Sequence, residues 1–437
     1  MNVEHKRTDL NWRGLESSAR SYAKKFPFVV KGGFGCKLFA DDGQEYLDFL
    51  SGAGVSLLGH DHPVINSAIR DSSHSVLSTL DLATDSKGRF VEALQSILID
   101  IFGSTMKFHC CGPTGSDAIE AMLKLSMQAT GRRGVIAFSG SYHGMSQGAL
   151  SITSNNRLRK AGLRTGHDVT FCPFPYPYRG IGPYADPKLA TEICVANIES
   201  LISDDHSGVE LPGVIVLECV QGEGGNIVAP KAFIQGLRAL CDKYGILLAF
   251  DEIQSGVGRT GRWFAFEHYD VLPDLFVVSK GIGGGIPLSL LIYRDELDVW
   301  KSGDHIGTFR GQTLAFAAGA ALLSHMRETK LISAVAQRGD VLRNGLQQLV
   351  DMYDLAAEAR GLGLFQAIEC RGTQTHSESA VTGLIQNHLL QSGIVVERGG
   401  RNDSVLRFLP PLIITEAEIH QLLDGLNQAF EDTTAHV

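Results

Sequence analysis

The sequence predicts an α/β protein, with a large doubly wound mixed sheet domain followed by a smaller α+β domain. Three observations carry that prediction. From about residue 85 to 315, short apolar runs alternate with helical periodicities; the runs are Val135–Phe138, Val214–Leu217, 246–250, Leu275–Val278 and 290–293. Apolar runs bounded by turn residues read as strands covered on both faces, and their alternation with helices reads as a doubly wound sheet. Two of these runs stop at a charge, one at Asp251 and the other at Ser279-Lys280. Beyond 315, a long helical segment at 314–351 gives way to alternating strands and helices of α+β character.

The elements follow in order. Residues 1–75 form an N-terminal segment that joins the small domain; within it, 35–39 and 45–49 read as short strands around the turn Asp41-Asp42-Gly43-Gln44. Residues 76–315 make the large domain and 316–437 the C-terminal small domain. The stretch 171–187 holds five of the 14 prolines and reads as a long loop. A chain of 437 residues exceeds one hydrophobic core, and 44% hydrophobic with 20% charged residues is ordinary globular composition. The net charge of −9 argues against a nucleic-acid partner, and no basic run suits a membrane surface. Residues 1–14 are polar and lack the apolar core of a signal peptide, and no stretch has the length of a membrane span. The eight cysteines include no Cys-x-x-Cys pair, so they read as reduced, mostly buried thiols rather than a metal site. A cytoplasmic protein is expected.

In open α/β sheets, ligands sit beyond the carboxyl ends of the strands. Asp251 and Lys280 stand there, one strand–helix–strand unit apart, and Lys280 is followed by the glycine-rich Gly281-Ile282-Gly283-Gly284-Gly285. Pyridoxal phosphate needs that pair: a lysine for the Schiff base and a carboxylate to keep the pyridine nitrogen protonated. Gly112-Pro113-Thr114-Gly115-Ser116 precedes Ala118, Ile119, Met122, Leu123 and Leu125, which share one helix face. A Gly/Ser turn opening a helix aims free N–H groups at one point, so Gly115 and Ser116 are the candidate phosphate donors. At the end of the run Val135–Phe138, Tyr142 can stack on the cofactor ring.

Seven motifs occur in order between residues 111 and 412: GPTGSDA, SYHG, LECVQGEGG, DEIQSGVGRTG, PDLFVVSKGIGGGIPLS, GTFRGQT and LRFLPPL. With them the chain resembles the class III (ω-type) aminotransferases of the fold-type I pyridoxal phosphate superfamily. The resemblance implies that Lys280 carries the cofactor, that Asp251 pairs with its pyridinium, and that Gln254 bonds the ring's 3′ oxygen. It adds His143 and Glu218 to the cofactor-binding set and matches Thr308 to a threonine that reaches the phosphate of the neighbouring subunit. A homodimer with active sites at the interface, or a tetramer of such dimers, is therefore implied.

The resemblance also pairs Glu223 with Arg407 as a switch between two substrates. A buried arginine suited to the carboxylate of one substrate is left unpaired by the other, which is costly, and the glutamate then neutralises it. That pair favours a two-substrate transaminase over a racemase or aminomutase on the same fold. Two residues depart from the common pattern: Cys219 stands where many relatives have proline, and Met145 where many have an arginine gripping a distal carboxylate. Arg310, beside Thr308, is the candidate replacement. ECVQGEGG, YHGM, GTFRGQT and ESSARSYAKKFP resemble the diaminobutyrate–2-oxoglutarate transaminase branch, which moves an amino group between glutamate and the terminal carbon of aspartate 4-semialdehyde. The segment 55–58, Val-Ser-Leu-Leu, departs from that branch near the substrate entrance. Another ω-amino acid is the alternative substrate.

Overall fold

The structure is a computed structural model that describes residues 15–160, 168–180 and 186–437. The polar start at 1–14 and part of the proline-rich stretch, 181–185, lie outside the described residues.

Seven strands build the large sheet: β1 (Lys107–Gly112), β2 (Val135–Phe138), β3 (Val169–Cys172), β4 (Val214–Leu217), β5 (Leu247–Asp251), β6 (Leu275–Val278) and β7 (Ser289–Tyr293). Their order is β1-β7-β6-β5-β4-β2-β3. The strands from β6 to β3 run parallel to one another, whereas β7 is antiparallel to both β6 and β1. The result is the mixed sheet expected. Successive side chains on a strand face opposite ways. Ile136, Phe138, Ile215, Leu217, Leu248, Phe250, Phe276 and Val278 accordingly enter the larger apolar core. Val135, Ala137, Val214, Val216, Ala249, Leu275 and Val277 enter the second.

Helix α1 (Gly115–Thr130) supplies Ala118, Ile119, Met122 and Leu125 to that second core. Its start is set by Thr114, whose N and Oγ1 both donate to Asp117 Oδ2 at 2.9 and 2.8 Å. Gly131, at φ 69°, ends it in the left-handed conformation that glycine adopts without strain.

Three features differ from the sequence reading. Strands β1 (KFHCCG) and β3 (VTFC) were not expected, because neither is a clean apolar run; they are the two sheet edges, half-exposed along much of their length. Between β5 and β6 there is no α-helix. The connection is turns and a short 3-10 helix, Ala265–Tyr269. Its glycines explain this, since Gly258 and Gly261 adopt φ of 88° and 81° and break any helical run. The apolar cover that a helix would have given comes instead from Phe264 and Phe266, packed on Phe250 and Phe276. The predicted helix at 314–351 is two, α2 (Thr313–Glu328) and α3 (Leu331–Met352), broken where Lys330 takes φ 53°.

After α3 come β8 (Ala356–Leu362), β9 (Phe365–Cys370), β10 (Glu397–Gly399) and β11 (Val405–Phe408), an antiparallel sheet in the order β8-β9-β11-β10. The N-terminal strands Val30–Phe34, Lys37–Ala40 and Glu45–Asp48 form a separate sheet, extended by Ile394–Val395 through the parallel pair Leu47 and Ile394. All eight cysteines are buried and free. Among the described residues no helix is long and apolar enough to cross a membrane.

Candidate active site

Asp251 is the last residue of β5 and faces the same way as Ala249, toward the α1 side of the sheet. It is only 4% exposed. Its Oδ1 accepts from Ile253 N at 3.0 Å, and its Oδ2 meets His143 Nδ1 at 2.7 Å. Burial alone would depress the His143 pKa. The hydrogen bond and charge of Asp251 outweigh it, so the His143 pKa is raised. His143 Nε2 is buried and has no hydrogen-bond partner among the described residues.

Lys280 follows β6 through Ser279 and takes φ 46°, a left-handed conformation that a lysine adopts only where its surroundings impose it. Ser279 Oγ donates to Leu288 O at 2.9 Å, which ties the turn to the approach of β7. Burial lowers the Lys280 pKa; the nearby Arg407 pushes the same way, and Glu223 opposes. The nitrogen is therefore biased toward its neutral, nucleophilic form. Leu57 packs against Gly281, where an added Cβ would collide with it. The departing segment 55–58 thus borders the lysine.

Asp251 and Lys280 share a cavity of about 220 Å³ with Gly115, Ser116, Tyr142, His143, Glu218, Glu223 and Gln254. Nine residues singled out in the sequence therefore line one space. Gly115 and Ser116 present first-turn N–H groups, which have no partner inside a helix. Gly115 sits so close to Ile253 that a Cβ there would clash with its side chain. Glu218 is buried beneath the Tyr142 turn, where its Oε1 accepts from Tyr142 N at 3.0 Å and its Oε2 from Gly222 N at 2.8 Å. Burial raises its pKa to about 7; His143 opposes and Asp251 adds to the rise. It acts on the cavity through the backbone it holds.

Arg407, in β11, does not line that cavity but bonds two residues that do, Glu223 and Gln254. Its side chain is fully buried. Nη1 donates to Glu223 Oε1 at 2.7 Å, Nη2 to Gln254 Oε1 at 2.7 Å and Nε to Asn226 Oδ1 at 3.0 Å. Glu397 Oε2 lies 3.5 Å from Nη1, and Glu397 Oε1 accepts from Tyr22 at 2.9 Å. The Glu223 side chain, by contrast, is 41% exposed. Desolvation would raise its pKa, but Arg407 holds it below the usual value.

Two expected residues lie elsewhere. Thr308 is exposed in the loop before α2 and does not touch the cavity of this chain. Arg310 is buried against β1, its Nη1 2.8 Å from His109 Nε2. Burial and then Arg310 push the His109 pKa down to about 4, which leaves it neutral as the acceptor. Sequence reading missed Asn226, Glu397 and Tyr22. Asn226 follows the LECVQGEGG motif directly, and its φ of 53° marks it as a constrained turn; Tyr22 lies within ESSARSYAKKFP, which was read only as a whole, and Glu397 carried no local signal.

The donor set suits pyridoxal phosphate. It offers helix N–H groups for a phosphate, a buried carboxylate for a ring nitrogen, an aromatic wall and a lysine biased toward neutrality. A family model described as Aminotransferase class-III matches residues 18–430. The chain is 40% identical over 430 residues to a diaminobutyrate–2-oxoglutarate aminotransferase of Rhizobium meliloti (strain 1021), covering 95% of this chain and 90% of that one. It is 39% identical over 433 residues to the protein of the same name in Haemophilus influenzae, covering 96% and 93%. An amine transaminase from an uncultivated Pseudomonas species, solved in a PLP-bound form, superposes with a TM-score of 0.86 at 26% identity, covering 96% and 98%. The fold is that of the fold-type I transaminases, and the chain belongs to the class III aminotransferases, which are pyridoxal phosphate enzymes.

Proposed function

We propose that this chain moves an amino group between glutamate/2-oxoglutarate and the terminal carbon of a diamino acid, 2,4-diaminobutyrate/aspartate 4-semialdehyde. The observation that carries the two-substrate part of this reading is the asymmetry of one ion pair. Arg407 is wholly buried and fixed by Gln254 and Asn226, while its partner Glu223 reaches in from the cavity wall with a partly exposed side chain. Only the glutamate is free to move. With the α-carboxylate of glutamate present, Glu223 withdraws and Arg407 takes the carboxylate in its planar fork. With a terminal amine at the reacting position no carboxylate lies there, and Glu223 returns so that no buried charge is left bare. The substrate names come from the relatives in Rhizobium meliloti and Haemophilus influenzae.

Bound pyridoxal phosphate supplies an electron sink for the bond at the substrate's reacting carbon. Lys280 Nζ would hold the cofactor and would move the proton at that carbon. Asp251 holds a proton on the ring nitrogen through a charge-assisted hydrogen bond, itself oriented by His143. Gly115 and Ser116 hold the phosphate, Gln254 the ring hydroxyl side, and Tyr142 walls the ring from water. Thr308 serves the phosphate of a neighbouring copy, which makes the working form a homodimer. The setting is the cytoplasm.

The deciding experiment incubates the purified enzyme with 2-oxoglutarate and 2,4-diaminobutyrate and measures glutamate formed. Stoichiometric glutamate with loss of the terminal amine is expected. Inversion or migration of the amine without glutamate would replace the reading by a racemase or aminomutase. Glutamate formed only from another ω-amine would keep the reaction and change the substrate.

A further inference from the structure

The two proposed substrates share one feature. In glutamate a carboxylate carbon lies three bonds from the reacting carbon, along Cα–Cβ–Cγ–Cδ. In diaminobutyrate, reacting at Cγ, it again lies three bonds away, along Cγ–Cβ–Cα–C. One cation in one place would serve both, whichever substrate is bound. Arg407 cannot be that cation, because only glutamate brings a carboxylate to it. Met145 carries no charge, and Arg310 is turned to His109.

A second cavity, of about 1060 Å³, opens outward from Lys280, Tyr142 and Glu223. Its wall includes several cations. Lys25 and Arg157 are exposed, Arg159 lies over the Phe171 ring at 4.6 Å, and Arg398 Nη1 donates to Ser379 O at 3.0 Å. Arg401 is different. It is half-buried, and its guanidinium makes no hydrogen bond or ion pair among the described residues. Glu369, whose charge acts on Arg401, is already taken: it accepts from Tyr176, from Arg179 Nε at 2.8 Å, and lies 2.6 Å from Arg360 Nη1. Burial lowers the Arg401 pKa, and Arg179 and Arg360 add to that against Tyr176 and Glu369. A partly desolvated cation beside two like charges gains more from an arriving anion than an exposed one does.

Its position suits a substrate. Arg401 sits in the turn Arg401–Asp403 between β10 and β11, held by Ser404 N and Oγ, which donate to its carbonyl at 3.1 and 2.7 Å. Its guanidinium lies against Gly140, at φ 89°, where any Cβ would overlap it. Gly140 is two residues from Tyr142, so the missing side chain lets the cation approach the wall of the reacting site. The β10–β11 hairpin therefore carries both arginines, Arg407 in its strand and Arg401 at its tip.

We propose that Arg401 grips the distal carboxylate common to both substrates and is a specificity-determining residue of this site. The inference rests on the proposed reaction, but its test does not require turnover. Calorimetry on the holoenzyme compares glutarate with pentanoate, which share a five-carbon chain and differ by one carboxylate. Arg401→Gln should weaken glutarate by about 30-fold or more, the scale of removing a partly buried charged partner, and leave pentanoate unchanged. Arg401→Lys keeps the charge but loses the fork, and should fall between. In turnover, kcat/KM should drop for 2-oxoglutarate and for diaminobutyrate alike, while pyruvate and 1,3-diaminopropane, which lack the distal carboxylate, are spared. Unchanged glutarate affinity in either folded variant overturns the proposal, as does equal weakening of glutarate and pentanoate. A wild-type enzyme that binds glutarate through Arg401 yet makes no glutamate overturns the proposed reaction instead.

Discussion

At the scale of single residues, the site turns on which charges are fixed and which can leave. Lys280 is held in a left-handed turn with its pKa lowered by burial. Lys280→Ala is expected to abolish turnover while retaining pyridoxal phosphate non-covalently. Borohydride reduction of the wild type followed by peptide mapping should label Lys280, and label on another lysine would refute the assignment. Arg407 and Glu223 make a sharper case, because one is wholly buried and the other is not. Arg407→Ala should cripple the glutamate half-reaction by about 2–5 kcal/mol and touch the diaminobutyrate half-reaction much less. Glu223→Ala should do the reverse, by leaving Arg407 short of its partner. Single-turnover kinetics on each half separates them, and equal losses in both halves for both variants would make the pair merely structural. The identity of these two residues was readable from their motifs. That Gln254 and Asn226 clamp the arginine was not, since those contacts join residues more than 150 positions apart.

At the scale of elements, the turn after β5 does two jobs. Its first residue delivers Asp251, and its second, Glu252, is fully buried, accepting from Ser255 Oγ at 2.7 Å and Phe266 N at 2.9 Å. Those bonds shape the helix-free connection to β6. Burial lifts the Glu252 pKa from 4.5 to about 7, against the pull of its hydrogen bonds. The folded state therefore binds a proton more tightly than the unfolded chain. This contribution is fully present below about pH 4.5 and is lost as pH rises through 7. Glu252→Gln keeps the shape without the charge. Denaturant titration should find it about as stable as wild type near pH 5, and more stable by about 1–3 kcal/mol near pH 8. A constant difference across that range would remove the titration from the account. The β5–β6 connection also shows where sequence periodicity misleads: an apolar strand pair implied a helix, yet glycines with positive φ allowed a cluster of phenylalanines to supply the cover instead.

At the scale of the whole molecule, the loop before α2 exposes apolar side chains. Thr308 is exposed, with Ile306 77% and Phe309 67% exposed beside it. Light scattering is expected to find twice the 47.2-kDa chain mass or a multiple of it. Thr308→Ala should weaken pyridoxal phosphate retention in equilibrium dialysis without dissociating the assembly. A fully active monomer would contradict both expectations. The sequence by itself determined the sheet's central strands, the residues at their carboxyl ends and the cofactor those residues call for. That information is local, because a parallel strand buried on both faces must be an apolar run and its end must open on the ligand side. Only the tertiary structure decided the rest: edge strands without an apolar signature, the break at Lys330, the clamp around Arg407, and the turn that leaves Arg401 without a partner among the described residues. Each depends on contacts between distant segments or on backbone conformations that composition does not encode, and those contacts decide which charges find a partner within the fold.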